Sequence, residues 1–397
     1  MTVFGLQWTQ ATDAYVRPAE SVLTHKAVTA PTNAETLAAV AQASTYAPWS
    51  GMRRCNLWDD GTPTAYYNDR CFTNTDVANM GQCMVQIPKF WYCTDHGGGV
   101  YKWWISDTGA DAVPAGADGG AWKVHPAFIR NGVTKSYIYL GAYEAYLNGT
   151  KFESVSGFQP TTSQTMVQCR LAARLRKDAT GTTANYWELQ DYLTTSAVQL
   201  LYLVEYGNFN SQVVLGAGIT NITTITANES CNTGHTTTLG NVSGQSVGFA
   251  AEHEPATTVY AMSYRGIENI YGNVETIVDG INIKTNRIPY IADHDFVSNI
   301  WVHPYTASTA TPLYNATAYI GDILADTTYD YLFLSSAAGA SATTKLCDLY
   351  TDGAADQIVS MGGYWGSTVY AGLFACNMSS TSVTNYKIFG SRLMYIG

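Results

Sequence analysis

Apolar positions change period several times along the chain, and each change marks an expected element. Val3-Phe-Gly-Leu-Gln-Trp8 alternates weakly, as a strand does, and Ala34 to Ala43 carries a short helical pattern after the Pro31-Thr-Asn turn. Two runs of strand formers, Met84 to Tyr92 and Val100 to Ser106, flank His96-Gly-Gly-Gly99 and predict a hairpin; Lys135 to Tyr143 predicts another strand. Thr162-Ser163 can cap a helix running through Val167, Leu171 and Leu175, with Arg170, Arg174 and Arg176 towards its C-terminal end, where cations favour the helix dipole. A second helix is expected from about Trp187 to Tyr206, its broad apolar face carried by Leu193, Val198, Leu200, Leu201 and Val204. Beyond Gly207 the pattern breaks into short strands and polar loops, with glycine, threonine and asparagine crowded into 215–247. The order predicts an α+β fold with two helices on one side of a twisted antiparallel sheet and many irregular loops. The expected organisation is a small N-terminal element over 1–45, then one domain over 46–397 with a loop insertion near 208–250. The first element serves attachment or oligomerisation, with a plain extension of the same domain equally open.

Composition narrows the classes of function. Of 397 residues, 46% are apolar but only 13% charged, about half the usual share, and 28 tyrosines carry much of the polar character. Low charge with many aromatics excludes a disordered chain. A net charge of −10 without any basic run argues against nucleic acid as a partner. The N-terminus lacks the basic and apolar regions of a signal peptide, and no apolar run reaches the roughly 18 residues of a membrane-spanning helix, so no membrane insertion is expected. Eight cysteines include no Cys-x-x-Cys pair, which predicts buried free thiols in a chain folded in a reducing cytoplasm.

Three segments together carry a resemblance. They are Ile87-Pro-Lys-Phe90 with Val124-His-Pro-Ala-Phe-Ile129 and Tyr139-Leu-Gly-Ala-Tyr-Glu144; Tyr264 to Asn282, which holds Gly272-Asn-Val274; and Met361-Gly-Gly-Tyr-Trp-Gly366, leading through Ala371-Gly-Leu-Phe374 to Gly390-Ser-Arg-Leu393. From about Trp49 onward the chain resembles phage tail-associated proteins with the C-type-lectin fold of the formylglycine-generating-enzyme type, and the variable proteins diversified by retroelements. One departure is local: the commoner Gly-Asn-Val-Trp-Glu-Trp pattern here reads Gly-Asn-Val-Glu275-Thr-Ile277. The resemblance implies a virion-borne receptor-binding protein or adhesin, homotrimeric, made in the host cytoplasm and joined to other tail proteins through its N-terminal element. The expected partner is a host cell-surface protein or glycan.

In the diversified relatives, mutation of adenines in Asn-type codons varies exposed positions on a constant backbone, and such codons never yield Trp, Met, Lys, Gln or Glu. The resemblance therefore implies that Trp365, Met378 and Lys387 are scaffold. Tyr364, Ser367, Tyr370, Ala375, Asn377, Ser379, Ser380, Ser382, Asn385 and Tyr386 are the expected ligand-binding positions. Tyrosine with serine and asparagine is also the mixture that binding surfaces favour. Gly362, Gly363, Trp365 and Arg392 are the expected frame, Arg392 as a buried, hydrogen-bonded structural residue. A purely structural baseplate or fibre segment is the main alternative, with the C-terminal face buried against another subunit.

No catalysis, metal or cofactor is expected. The seven histidines are scattered, and neither Cys347 nor Cys376 sits in the paired-cysteine motif that an enzyme of the formylglycine-generating class would need. Asp293-His294-Asp295 looks like half of a carboxylate–histidine site and is read as surface structure. His125 before Pro126 is expected at a strand end with its ring satisfied. Glu268 and Asp279, flanking Gly272-Asn-Val274, are weighed as calcium ligands and set aside as turn carboxylates.

Overall fold

The computed structural model describes residues 3–25, 42–176, 186–307, 313, 315–352 and 356–397. In chain order its main elements begin with strands β1 (Val3–Thr9), β2 (Arg53–Leu57), β3 (Gln82–Pro88), β4 (Trp91–Gly97), β5 (Val100–Ser106) and β6 (Tyr137–Gly141). Helix α1 (Met166–Arg174), strand β7 (Trp187–Leu189) and helix α2 (Tyr192–Tyr206) follow. The C-terminal half carries β8 (Glu275–Ile283), β9 (Leu349–Thr351), β10 (Gln357–Met361), β11 (Cys376–Ser380) and β12 (Leu393–Tyr395). The architecture is mixed α/β, mostly sheet, with few helices. Among the described residues no helix is long and apolar enough to cross a membrane.

Three curled sheets surround α2. One holds β1, β5 and β4 in that order; a second runs β7-β12-β6-β3-β2; the third has β8, β10, β11 and β9 at its centre. Among the described residues pairing is antiparallel apart from short parallel contacts of β9 with β11 and of Phe389–Gly390 with β8, and an isolated parallel bridge from Asp191 to Asp279 of β8. The last strand, β12, lies between β6 and β7, so the end of the chain closes the second sheet.

The expected hairpin is displaced. The run Met84 to Tyr92 does not form one strand: it breaks after Pro88 into β3 and β4, which belong to different sheets. The hairpin joins β4 to β5 through Gly98 and Gly99, both at positive φ, where glycine meets no steric penalty. Over the described part of the leader expected at 1–45, β1 pairs with β5 along its whole length, from Val3↔Ser106 to Thr9↔Val100. Arg17 donates to the carbonyls of Val204 and Glu205 at the end of α2. The expected helix over Ala34 to Ala43 lies almost wholly outside the described residues.

Helix α2 starts later than expected, because Trp187–Leu189 is a strand; Asp191 caps the helix by accepting from the Thr194 N–H. All fifteen of its residues are buried, so the pattern had no polar face to display. The one carboxylate inside that run, Glu205, is met by Arg265 and by the Tyr264 hydroxyl.

Helix α1 docks through its arginines and not through the apolar stripe of Val167, Leu171 and Leu175. Its cap is Thr165, in a reciprocal capping box with Gln168, and not Thr162-Ser163. Val167, Leu171 and Leu175 are exposed, whereas Arg170 and Arg176 are buried. Acidic residues beneath the helix explain this docking. Arg170 makes a bidentate pair with Asp279 of β8, Arg174 grips Glu188 of β7, and Arg176 reaches Asp59. Small and soft residues, Cys169, Ala172, Ala173 and Met166, allow the close approach. Leu171→Glu is accordingly expected to change the unfolding free energy by less than about 0.5 kcal/mol in a urea titration. A loss above about 2 kcal/mol would show that Leu171 is a core residue after all.

Candidate ligand-binding site

The C-terminal positions are set by a turn that only glycine can make. β10 runs into Gly362 and Gly363, at φ 91° and 73°. A Cβ on Gly362 would stand 3.0 Å from the Ile270 carbonyl oxygen and the Tyr271 Cα. Trp365 then anchors the loop. Its ring is fully buried among Ile219, Ile222, Cys231, Val259 and Val274, with Nε1 donating to the Thr224 carbonyl at 3.0 Å. Its backbone N–H donates to the Asn273 carbonyl, which ties the loop to the Gly272-Asn-Val274 turn. Tyr364 and Tyr370 leave this anchored loop on its outer side, and the Tyr364 N–H is held by Ser367 Oγ at 2.9 Å.

Between the loop and the ends of β8, β9 and β11 lies an open cleft of about 310 Å³. Five of the ten expected positions line it: Tyr364, Ser367, Tyr370, Ala375 and Asn377. Ser379, Asn385 and Tyr386 are exposed outside it, Tyr386 to 58%. The expectation of exposure fails for three residues. Ala375 is buried in the wall although it borders the cleft, Ser380 pairs with Ile358 inside the sheet, and Ser382 is covered, its Oγ accepting from Asn299. Strand β11 exposes alternate residues, so a run of small polar residues does not read outward throughout.

Arg392 is remote from the cleft. It is buried and donates to the carbonyls of Gly141 (2.9 Å), Glu268 (2.6 Å) and Asn269 (2.9 Å). It thereby holds the segment that leads into the Gly272-Asn-Val274 turn.

Sequence reasoning missed the floor. Glu275, the first residue of β8, lines the cleft together with Ser360 of β10, Leu349 and Thr351 of β9, and Ile388. Burial pushes the Glu275 carboxyl above the usual carboxylate range, while bonds from Ser360 and Asn377 pull it back. One signal was available: Glu275 stands where the resembling pattern has its first tryptophan.

The candidates for chemistry fall elsewhere. His125 is buried among the rings of Phe90, Tyr92 and Tyr331, and burial lowers it to about 3, so it is neutral. Its Nδ1 accepts from the Ala127 N–H, but Nε2 finds no partner among the described residues, so the ring is only half satisfied there. Glu268 accepts from the Gly234 and Thr236 N–H groups and the Thr236 hydroxyl, and Asp279 is taken by Arg170. Both candidate calcium ligands are therefore engaged by protein donors. Asp293 Oδ1 and His294 Nδ1 are 2.5 Å apart beside a second cleft of about 310 Å³ that also includes Arg130, Lys135 and Glu188. Burial raises Glu188 to about 7 there, against the pull of Arg174.

All eight cysteines are free; Cys71 is exposed, contrary to the expectation of burial, and the other seven are buried. Burial pushes the Cys347 and Cys376 thiols upward, opposite to the direction that makes a thiolate nucleophile. Among the described residues no group of three or more His, Cys, Asp or Glu side chains converges as a metal site. Neither protein-family models nor curated proteins give a match to this chain.

Proposed function

We propose that the chain is a receptor-binding protein of a phage tail, with a C-type-lectin-like fold and no catalytic role, which presents its C-terminal face to a ligand on the host surface. The observation that carries this reading is the cleft itself. Five of the positions implied by the resemblance converge on one concavity, and the loop beneath them is held by Gly362, Gly363 and Trp365. Side chains there can change without moving the backbone. Supporting the fold assignment are the return of β12 to lie beside β6 and the turn at Gly272-Asn-Val274 that enters the fully buried β8.

Tyrosines supply wide, stiff contact area at low entropic cost, and small polar side chains adapt around them. Copies in a homotrimer would multiply weak single contacts. Attachment to the particle falls to the N-terminal residues, and the finished protein belongs to the virion. Variation by a retroelement at the exposed subset (Tyr364, Ser367, Tyr370, Asn377, Ser379, Asn385 and Tyr386) is part of the same proposal.

The test separates display from burial. Hydroxyl-radical footprinting of the assembled oligomer is expected to oxidise Tyr370 and Tyr386, 46% and 58% exposed in the single chain, as fast as in the dissociated protein. Protection of both by about tenfold would favour a structural fibre or baseplate role, in which another subunit covers this face.

A further inference from the structure

We infer that the Glu275-floored cleft takes one uncharged sugar ring, gripped through its hydroxyls; the inference rests on the receptor-binding reading and names its ligand class. At about 310 Å³ the cleft is at the small end of the roughly 300–1,000 Å³ spanned by small-molecule sites, room for a single ring rather than a peptide segment. Its floor is a buried carboxyl. Ser360 Oγ donates to Glu275 Oε1, and Asn377 is oriented by Ser379, whose N–H and Oγ both donate to Asn377 Oδ1 at 2.9 and 2.7 Å. The Asn377 amide NH₂ is thus the end turned to the Glu275 carboxyl, which it joins on the cleft floor.

Among the described residues no lysine, arginine or histidine lines the cleft, and none of them sets a cation against the acceptor capacity of Glu275. A buried carboxyl of this kind rewards a ligand that brings hydrogen-bond donors and rejects one that brings negative charge. The rim supplies groups that both give and accept, the Thr351 and Ser367 hydroxyls.

The walls supply flat apolar faces. Tyr364 is braced edge-on by Trp365 at 5.5 Å, and Tyr370 packs on Tyr319 at 5.6 Å with the rings 33° apart. Neither ring needs much ordering when a ligand arrives, which lowers the entropic cost of binding. Hydroxyls on one edge and C–H groups on the face are the two surfaces of a sugar ring, and the cleft offers a partner to each. A basic side chain brings donors only, so it would use the carboxyl and the tyrosine faces but leave the donor hydrogens of the rim hydroxyls unmatched. Glu275 also accounts for the space. An indole at this position, as in the resembling Gly-Asn-Val-Trp-Glu-Trp pattern, would stand on the cleft floor and occupy volume that is open here.

The full-length protein is to be applied to an array of neutral, acidic and amine-bearing glycans, with solution titration of the best neutral sugar, of glucuronate and of ethylamine. The expected result is binding of at least one neutral sugar, with glucuronate about tenfold weaker or absent. Glu275→Gln, which keeps the side-chain shape but loses the charge-assisted bonds, is expected to weaken the sugar by about tenfold. Tyr370→Ala, at an exposed position, is expected to weaken it several-fold with an unchanged urea midpoint. The inference is overturned if no neutral sugar binds, if ethylamine binds better than the sugar, or if both variants bind the sugar like the parent. Footprinting keeps the two levels apart: an empty array with Tyr370 and Tyr386 still open in the oligomer sinks the sugar and leaves the display reading standing. Protected tyrosines sink the display reading itself.

Discussion

Arg392→Met is expected to destabilise the protein by about 3–5 kcal/mol, read as a fall in the urea midpoint at constant m-value. The guanidinium is fully enclosed and serves three backbone carbonyls, Nη1 donating to Gly141 and Nη2 to the adjacent Glu268 and Asn269. Methionine fills most of the volume but donates nothing. Three acceptors are then left in a place that water does not reach, each worth about 1–3 kcal/mol of lost solvation, partly recovered by relaxation. Arg392 is also the largest influence holding down the buried Glu144 carboxyl, so removing the cation leaves that acid harder to ionise, which costs further stability only above about pH 8. Arg392→Lys is expected to fall between the parent and Arg392→Met, because a single ammonium cannot span three carbonyls in a fork. A loss below about 1 kcal/mol for Arg392→Met would mean that these carbonyls find other partners and that Arg392 is not a keystone of the frame.

What the sequence discloses about this fold depends on whether a residue's partner is near or far in the chain. β5, β6 and the existence of both helices follow from local pattern, since strand formers and helical spacing act over a few residues. The break at Pro88 does not: Met84 to Tyr92 is uniformly strand-like, and only the sheet to which each half is committed separates β3 from β4. The face of α1 is the sharper case. Val167, Leu171 and Leu175 stand one turn apart and look like a buried stripe, yet the helix docks through arginines. Their carboxylate partners Asp59, Glu188 and Asp279 are from 14 to 117 residues away. Periodicity reports that a helix has two faces; distant acids decide which face goes inward.

The candidate site divides in the same way. Tyr364, Ser367, Tyr370, Ala375 and Asn377 come from one short stretch and were reachable by motif and residue type. The floor is less legible: Glu275 and Thr351 reach the cleft from other strands, and beyond the missing tryptophan at 275 only sheet order assigns them to it. Ser380 and Ser382 show the opposite error. Their residue type promised a surface, and pairing with Ile358 and contact with Asn299 cover them.

Stability is expected to fall with rising pH through Glu144, and Glu144→Gln is expected to remove that dependence. The carboxyl is wholly buried beside the turn that positions β8, accepting from Asn273 Nδ2 at 2.6 Å and from Asn269 Nδ2 and the Val274 N–H at 3.3 Å. Burial is the dominant influence and raises it from 4.5 to about 8, although Arg392, Asn273 and Asn269 all pull the other way. Below pH 4.5 the folded and unfolded chains both keep the proton, and this group leaves stability unaffected. As the pH climbs from there to about 8, the unfolded chain ionises and the folded one does not. Unfolding then releases a proton, and the native state loses up to about 1.4 kcal/mol per pH unit. Above about 8 both forms are ionised and the loss levels off. A glutamine cannot ionise, so the stability of Glu144→Gln relative to the parent should improve steadily between pH 5 and pH 8, whatever its constant cost at pH 5. Glu188, raised to about 7, has the same sign but is common to both proteins and cancels in their difference. Urea midpoints at one-unit steps test this directly, and a difference that stays flat across the range would show that Glu144 is ionised in the folded protein throughout. The consequence reaches the binding face, because Asn273, which Glu144 holds, accepts through its carbonyl the backbone N–H of Trp365. The protonation state of Glu144 is therefore felt at the same turn that anchors the loop carrying Tyr364 and Tyr370.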